Sequence, residues 1–259
     1  HSGSTYTIYS IILQAYGWEA GWSSLVRMGA NVRNFTAHSS DAVKEVITGD
    51  SICSLSIDYY AQAKILEFGK EKLLFVLPEG LSMLDPESFG ILKGAPNRKT
   101  AEEFISFVLS RKGQRLWLLP AGSPGGPAKT SLARLSILPS LYDEAGEKSV
   151  VVLNPFKLKG YIPYNEKEAD DLRNIINDMV GTFVIDIKTD LNRVWQKRIQ
   201  KGMTPEFLQV LDEIPVTKEK AFEYTSRWQD NIFRNRIINE WHTYNQAKIK
   251  KLDRLADES

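Results

Sequence analysis

The sequence predicts an α/β fold followed by a helical C-terminal region. Up to about residue 165, short apolar segments bounded by Gly and Pro alternate with segments whose apolar residues recur every three or four positions. The first pattern is typical of buried strands and the second of amphipathic helices. Their alternation indicates α/β organisation. Beyond residue 165 only the helical pattern remains.

The first helix is predicted over residues 5–16, where Tyr6, Tyr9, Leu13 and Tyr16 follow the helical spacing. Other helices in this part are predicted over residues 19–28, 40–48 and 101–110. Strands are predicted over residues 52–57, 73–77 and 88–93, with a strand or extended link at 31–35. The first strand rests on apolar Ile52, Leu55 and Ile57, with Cys53 buried among them.

The C-terminal part is predicted to form helices over residues 166–180, 190–200, 205–211 and 218–255. The last helix carries an apolar stripe that only Lys248 interrupts: Phe233, Ile237, Trp241, Tyr244, Leu252 and Leu255. Such a stripe predicts an amphipathic helix that packs on its own domain, with binding to a partner protein as the alternative.

Composition excludes several classes of protein. The chain has 259 residues, 42% of them hydrophobic and 25% charged, which suits one large or two modest domains. A net charge of +1 gives no indication of nucleic acid or an anionic membrane as partner. No run of about 18 apolar residues predicts a transmembrane helix. A single cysteine excludes an internal disulfide.

The segment Asp58-Tyr59-Tyr60 is the first candidate site, because it follows the predicted strand at 52–57. Ligands bind at the carboxyl ends of strands in α/β proteins. The two phenols suit either core packing, contact with a sugar or organic anion, or binding of Fe³⁺ as phenolates. Both can meet one ligand only if the strand has ended, since consecutive strand residues point to opposite faces. Asp58 is either a helix cap or a ligand acceptor.

A second candidate is Ser2-Gly3-Ser4-Thr5, which opens the first predicted helix. Free backbone N–H groups and hydroxyls at a helix start suit a carboxylate, phosphate or carbonate, although Ser4 could simply cap the helix. Glu79 is a third candidate, as either a cleft residue or a solvated turn residue. No motif for nucleophilic catalysis or a phosphate-binding loop is present, so we expect no enzyme activity.

Several segments, in this order, resemble extracellular solute-binding proteins of ABC importers, in the branch that includes ferric-iron-binding proteins. They are Ser2-Gly3-Ser4 before a Tyr-rich helix, Asp58-Tyr59-Tyr60, Val76-Leu77-Pro78-Glu79-Gly80, and Ile91 to Asn97 followed by a helix and Lys112-Gly113-Gln114. The resemblance covers roughly residues 1–130. The helical tail matches less specifically.

The resemblance implies a two-lobed fold of the periplasmic binding protein type II class that closes on its ligand by a hinge. Residues 1–77 would be the later part of lobe two, 78–165 the return into lobe one, and 166–259 a helical region packed on the lobes. The N-terminal part of the family's fold would then be missing from this chain. The expected partner is a membrane permease, and the expected location is periplasmic or extracytoplasmic, with membrane anchoring an option.

The resemblance leaves the ligand open between a small anionic solute and Fe³⁺ with a synergistic anion, for which Tyr59 and Tyr60 would be metal ligands. No other cofactor is expected. The alternative to a transport component is a sensory ligand-binding domain or an enzyme on the same scaffold.

Overall fold

The computed structural model describes residues 3–85 and 87–258. Twelve α-helices are found there. They are α1 (Gly3–Tyr16), α2 (Trp18–Asn31), α3 (Ser39–Ile47), α4 (Asp58–Phe68), α5 (Arg98–Leu109), α6 (Arg111–Leu118), α7 (Ser140–Ala145), α8 (Glu166–Val180), α9 (Lys188–Lys201), α10 (Pro205–Asp212), α11 (Lys218–Thr225) and α12 (Asn231–Asp257). None of the helices in these ranges is long and apolar enough to cross a membrane.

The predicted two-lobed α/β fold is wrong. About 61% of the chain is helical, and the described residues contain no strand, only a parallel bridge between Ser82 and Tyr161. Within the described ranges, the three segments predicted as strands pair with no other strand. A strand depends on such neighbours, which an apolar pattern alone does not supply. Ile52 and Leu74 are accordingly 100% and 84% exposed, and Cys53, predicted to be buried, is exposed.

The chain divides into two compact units. The discontinuous unit comprises residues 1–37 and 162–259, and the middle unit comprises residues 38–161.

The discontinuous unit packs α1 and α2 with α8 to α12 around a large apolar core. Tyr6, Trp22 and Phe183 are among its fully buried side chains. The helices α1 and α2 cross closely because Gly21 has no side chain; a Cβ atom there would lie 2.9 Å from the Cα atom of Leu13. Tyr16, predicted on the same face as Tyr6, is half exposed at the end of α1.

A π-helical turn, Gly181–Ile185, follows α8. Such turns disturb the regular hydrogen-bond ladder. The backbone carbonyl of Thr182 accepts a hydrogen bond from the side-chain amide of Asn245, 2.8 Å away on α12. The C-terminal helix therefore supplies a partner for a carbonyl group within this turn.

The single helix predicted over 218–255 is two helices, α11 and α12, because Asp230 caps a new start through the backbone N–H groups of Ile232 and Phe233. The apolar stripe of α12 lies in the core of the same unit, which confirms the predicted docking. Lys248, the break in that stripe, is buried, and its Nζ donates to the backbone carbonyl of Glu213 at 2.6 Å.

The middle unit contains α3 to α7 and a smaller apolar core: Leu118, Leu119, Ala133, Leu141, Tyr142, Ala145 and Val151. Buried polar groups in this unit are also paired. Gln114 donates to the carbonyl of Val108 and accepts from the Ser136 hydroxyl and from the backbone N–H of Ile137. The Tyr142 hydroxyl bonds both backbone polar groups of Ser136.

Candidate functional site

The segment Asp58-Tyr59-Tyr60 forms the first turn of α4, which begins at Asp58. The sequence predicted a strand before this segment, but the residues before Asp58 are irregular. On a helix, consecutive side chains diverge by about 100° instead of the 180° of a strand, and the two phenol rings lie with their centroids 4.2 Å apart. Both tyrosines are half-buried. The structure therefore brings together the polar and aromatic groups that the sequence singled out.

The electrostatics of this turn favour protonated side chains. Burial raises the pKa of Asp58, although hydrogen bonds from the backbone and the nearby Arg134 oppose the rise. The pKa of the Tyr59 phenol is raised, first by its hydrogen bond with Tyr60 and then by burial. Tyr59 is therefore a neutral phenol at pH 7, and it can donate a hydrogen bond more readily than it can serve as a phenolate.

Arg134 lies directly beside this turn. Its guanidinium carbon is 4.0 Å from the Tyr59 ring centroid and 6.0 Å from that of Trp117, both within the range of cation–π attraction. The guanidinium also forms an ion pair with Glu87 at 3.2 Å. We call Asp58, Tyr59, Tyr60, Glu87 and Arg134 the tyrosine cluster. Sequence reasoning missed Arg134 and Glu87 because both lie far from the tyrosines along the chain.

A cavity of about 330 Å³ is found in the described part of the chain. It lies within the middle unit, where the segment around Glu79 meets the segment that ends at Tyr161. Its lining residues are Leu77, Pro78, Glu79, Ser82, Lys157, Leu158, Lys159 and Tyr161. We call it the lysine cavity. Its volume lies at the lower end of the range for small-molecule sites.

Two glycines allow the walls of the lysine cavity to meet. Gly80 and Gly160 have φ angles of +72° and +73°, in the left-handed region that favours glycine. A Cβ atom on Gly160 would lie 3.1 Å from the backbone nitrogen of Gly80. Next to them, Ser82 and Tyr161 form the parallel bridge. The glycines of Pro78-Glu79-Gly80 and Lys159-Gly160-Tyr161 therefore hold the two walls close together.

Charges in the lysine cavity sum to +1, from Lys157, Lys159 and Glu79. The Lys157 ammonium lies 2.9 Å from Asp143, in a pair that is exposed at both ends. No ion pair of Lys159 is found among the described residues. The hydroxyl of Tyr161 donates a hydrogen bond to the carbonyl of Pro155, and burial raises the pKa of Tyr161. The cavity therefore offers ammonium donors to an anion, with one carboxylate that opposes it.

Tyr142 lies within electrostatic range of both features. Burial raises its pKa to about 12, and the charges of Asp58 and Tyr161 add to that rise. The tyrosine cluster and the lysine cavity consequently share one unit and a common neighbour. This places Glu79 in the same unit as Asp58, Tyr59 and Tyr60.

The candidate residues of the N-terminal segment belong to the discontinuous unit. Ser2 lies outside the described residues, as does the side chain of Ser4. Gly3 is the first residue of α1 and is exposed, and Thr5 is half-buried in its first turn. The predicted helix start is therefore found where expected, whereas its role in ligand binding stays a prediction.

The described residues also show which ligands an Fe³⁺ site would have to use. In the part of the chain that the structure describes, no group of three or more His, Cys, Asp or Glu side chains could hold a metal ion. Tyr59 and Tyr60 would have to supply an Fe³⁺ site from phenols, and the pKa of Tyr59 is raised.

Comparisons with known proteins cover residues of both units. Residues 3–141 match the family model described as "Bacterial extracellular solute-binding protein". The phosphoglycerate transport regulatory proteins PgtC of Salmonella typhimurium (strain LT2) and Salmonella typhi are each 21% identical over 266 residues. The alignment covers 98% of this chain but 62% of each relative, so the chain spans less than two thirds of their length. No solved structure matches.

Proposed function

Because the chain belongs to the bacterial extracellular solute-binding protein family, we propose that it is the solute-binding component of an ABC importer. It has a substrate-binding role in transport, and the family places it in the periplasm or elsewhere outside the cytoplasm. In the proposed function the chain captures a small anionic solute and delivers it to a membrane permease, without performing catalysis.

The lysine cavity is the observation that carries this proposal. Lys157 and Lys159 supply two ammonium groups, while Leu77, Pro78 and Leu158 supply apolar walls. Charge-assisted hydrogen bonds to an anion are shorter and stronger than neutral ones. A bound anionic group would pair with Lys159, which has no ion-pair partner in the described ranges, and would compete with Asp143 for Lys157.

The solute we propose is a phosphorylated hydroxy acid of about three carbons. Two curated relatives carry phosphoglycerate transport in their names. A cavity of about 330 Å³ can take a molecule of that size. The phosphate group would lie against the two ammonium groups, and the short carbon chain against the apolar wall.

Fe³⁺ with a synergistic anion is the alternative ligand. It would use Tyr59 and Tyr60 as phenolates and would have to displace a proton from a phenol of raised pKa. The cationic lining of the lysine cavity favours an anion instead.

A regulatory or sensory role is the second candidate function. It is favoured by the word "regulatory" in the name of the relatives. Both roles need the same solute site. Uptake of the solute by cells that lack the protein but already express the transporter distinguishes the two roles. Loss of a sensor changes gene expression and leaves this uptake active, whereas loss of the solute-binding component abolishes it.

Isothermal titration calorimetry with a panel of ligands tests the ligand class. We expect 3-phosphoglycerate to bind more tightly than glycerol 3-phosphate, glycerate or inorganic sulfate, and ferric citrate to give no tyrosinate absorption. A visible absorption band that appears with Fe³⁺ and is lost in Tyr59→Phe would support the iron alternative. An absence of binding by every phosphorylated compound would overturn the proposed solute.

A further inference from the structure

Arg134 is held in place by several independent contacts in the middle unit. Its guanidinium lies over the ring of Tyr59 and near that of Trp117, while its backbone N–H donates to the carbonyl of Trp117 at 3.2 Å. Its side chain is 34% exposed, so part of the side chain remains open to solvent. Stacking of this kind fixes the plane of the group and leaves its edge available for hydrogen bonds.

The backbone beside Arg134 is strained. Ala133 is the one non-glycine residue with positive φ, +50°, in the described ranges. It is also 1% exposed within the core of the middle unit. A left-handed alanine is a strained conformation, and residues in such conformations cluster at functional sites. The strain therefore lies at the residue that immediately precedes Arg134 in the chain.

The present partner of Arg134 is easily replaced. Glu87 is 71% exposed, and a single hydrogen bond from Nη1 joins the two side chains. Exposed ion pairs of this kind contribute little free energy. The other N–H donors of the guanidinium have no protein acceptor among the described residues. A planar carboxylate can accept two parallel hydrogen bonds from an arginine, which the single contact with Glu87 does not provide.

We propose that Arg134 binds the carboxylate of a small organic acid, which displaces Glu87 from the guanidinium, with the phenols of Tyr59 and Tyr60 beside the ligand. This site is distinct in its residues from the lysine cavity. It rests on the proposed function only in taking an anionic solute. Glu87 thus acts as an internal substitute for the ligand and lowers its apparent affinity.

The discontinuous unit offers a matched control pair. Arg173 lies 4.5 Å from the centroid of the Tyr6 ring and forms an ion pair with Asp170 at 2.8 Å. Asp170 is 71% exposed, as Glu87 is. The neighbouring backbone of Arg173 is regular helix within α8. Substitutions in this pair therefore report the general effect of changing an exposed arginine–carboxylate pair over a tyrosine.

The test uses glycerate, a carboxylate without phosphate, titrated into the intact chain at low and at physiological salt. We expect Glu87→Gln to bind glycerate about three- to tenfold more tightly than the wild type. We expect Arg134→Gln to weaken binding at least tenfold, and Arg134→Lys, which keeps the charge but loses the paired donors, to weaken it nearly as much. Asp170→Asn and Arg173→Gln should stay within twofold.

Thermal unfolding of each variant identifies loss of folding. If Arg134→Gln is unstable, the Glu87→Gln and Arg134→Lys measurements decide the question. Unchanged or weaker binding in Glu87→Gln, or equal binding in Arg134→Lys and the wild type, would overturn the inference. Glycerate that fails to bind the wild type would also overturn it, while binding of 3-phosphoglycerate through the lysine cavity would still stand. If glycerate binds and no phosphorylated compound binds, the proposed solute is overturned and this inference stands.

Discussion

Lys248 provides the sharpest prediction about stability. Its side chain lies on the buried face of α12, and its Nζ donates to the carbonyl of Glu213. Asp212, which also pairs with Arg27, and Glu213 attract its charge. Burial outweighs this attraction and lowers the pKa of Lys248 from 10.5 to about 8. We therefore expect Lys248→Met to remove a pH-dependent cost of folding.

The sign follows from where the proton is bound. Between about pH 8 and 10.5 the unfolded chain keeps the Lys248 proton while the folded chain loses it, so stability rises with pH. The difference in pKa corresponds to roughly 3 kcal/mol in total at 1.4 kcal/mol for each pH unit. About 2.5 kcal/mol of this falls between pH 7 and 10.

Urea unfolding followed by tryptophan fluorescence at pH 7, 8, 9 and 10 measures the effect. The free energy of unfolding of the wild type, taken relative to Lys248→Met at each pH, should rise by about 2 to 3 kcal/mol across this range. Burial raises the pKa of the neighbouring Tyr244 from 10.0 to about 12. The stability that this phenol contributes to the folded state is therefore lost only above about pH 10. The window therefore isolates Lys248.

Lys251→Met is the control, because Lys251 is exposed on the same helix. Its stability relative to the wild type should not change with pH by more than about 0.5 kcal/mol. A Lys248→Met variant whose stability runs parallel to that of the wild type from pH 7 to 10 would refute the argument that this lysine is buried at a cost.

Two further predictions concern packing in the discontinuous unit. Asp178→Ala should lower the free energy of unfolding by about 3 kcal/mol. The largely buried Asp178 carboxylate accepts two hydrogen bonds from Arg234 and one from the indole of Trp228. A loss below about 1 kcal/mol in urea unfolding would contradict this prediction. Gly29→Ala should cost about 1 to 3 kcal/mol, because its Cβ would overlap the side chain of Val184. The double variant with Val184→Ala should recover at least about 1 kcal/mol relative to additive losses, and additive losses would argue against that overlap.

The helices were predictable because their signals are local. The prediction for α8, residues 166–180, agrees with the structure in both bounds, since Asn165 caps its start and apolar residues recur regularly. The predicted start of the helix at 101–110 was three residues late, and its apolar residue Phe104 is 57% exposed. A short amphipathic pattern does not show which of its apolar residues pack against another part of the protein.

The strands and the site depended on partners far along the chain. Ile52 and Leu74 carry strand-like patterns, but pairing requires another strand, and the described residues offer none. The tyrosine pair was predicted as a binding feature from local chemistry. Arg134 and Lys159 join the candidate sites only through tertiary contacts, and neither belongs to a motif that could have identified it.

The binding of 3-phosphoglycerate to three charge variants tests the central claim most directly. Calorimetry at low salt should show Lys159→Met weakening binding about tenfold and Glu79→Gln strengthening it severalfold, because both side chains line the same cavity with opposite charge. Lys99→Met, a change in an exposed lysine on α5 outside the cavity, should leave the affinity within twofold. Equal affinities for Lys159→Met and Lys99→Met would contradict the claim that the lysine cavity binds the anionic group.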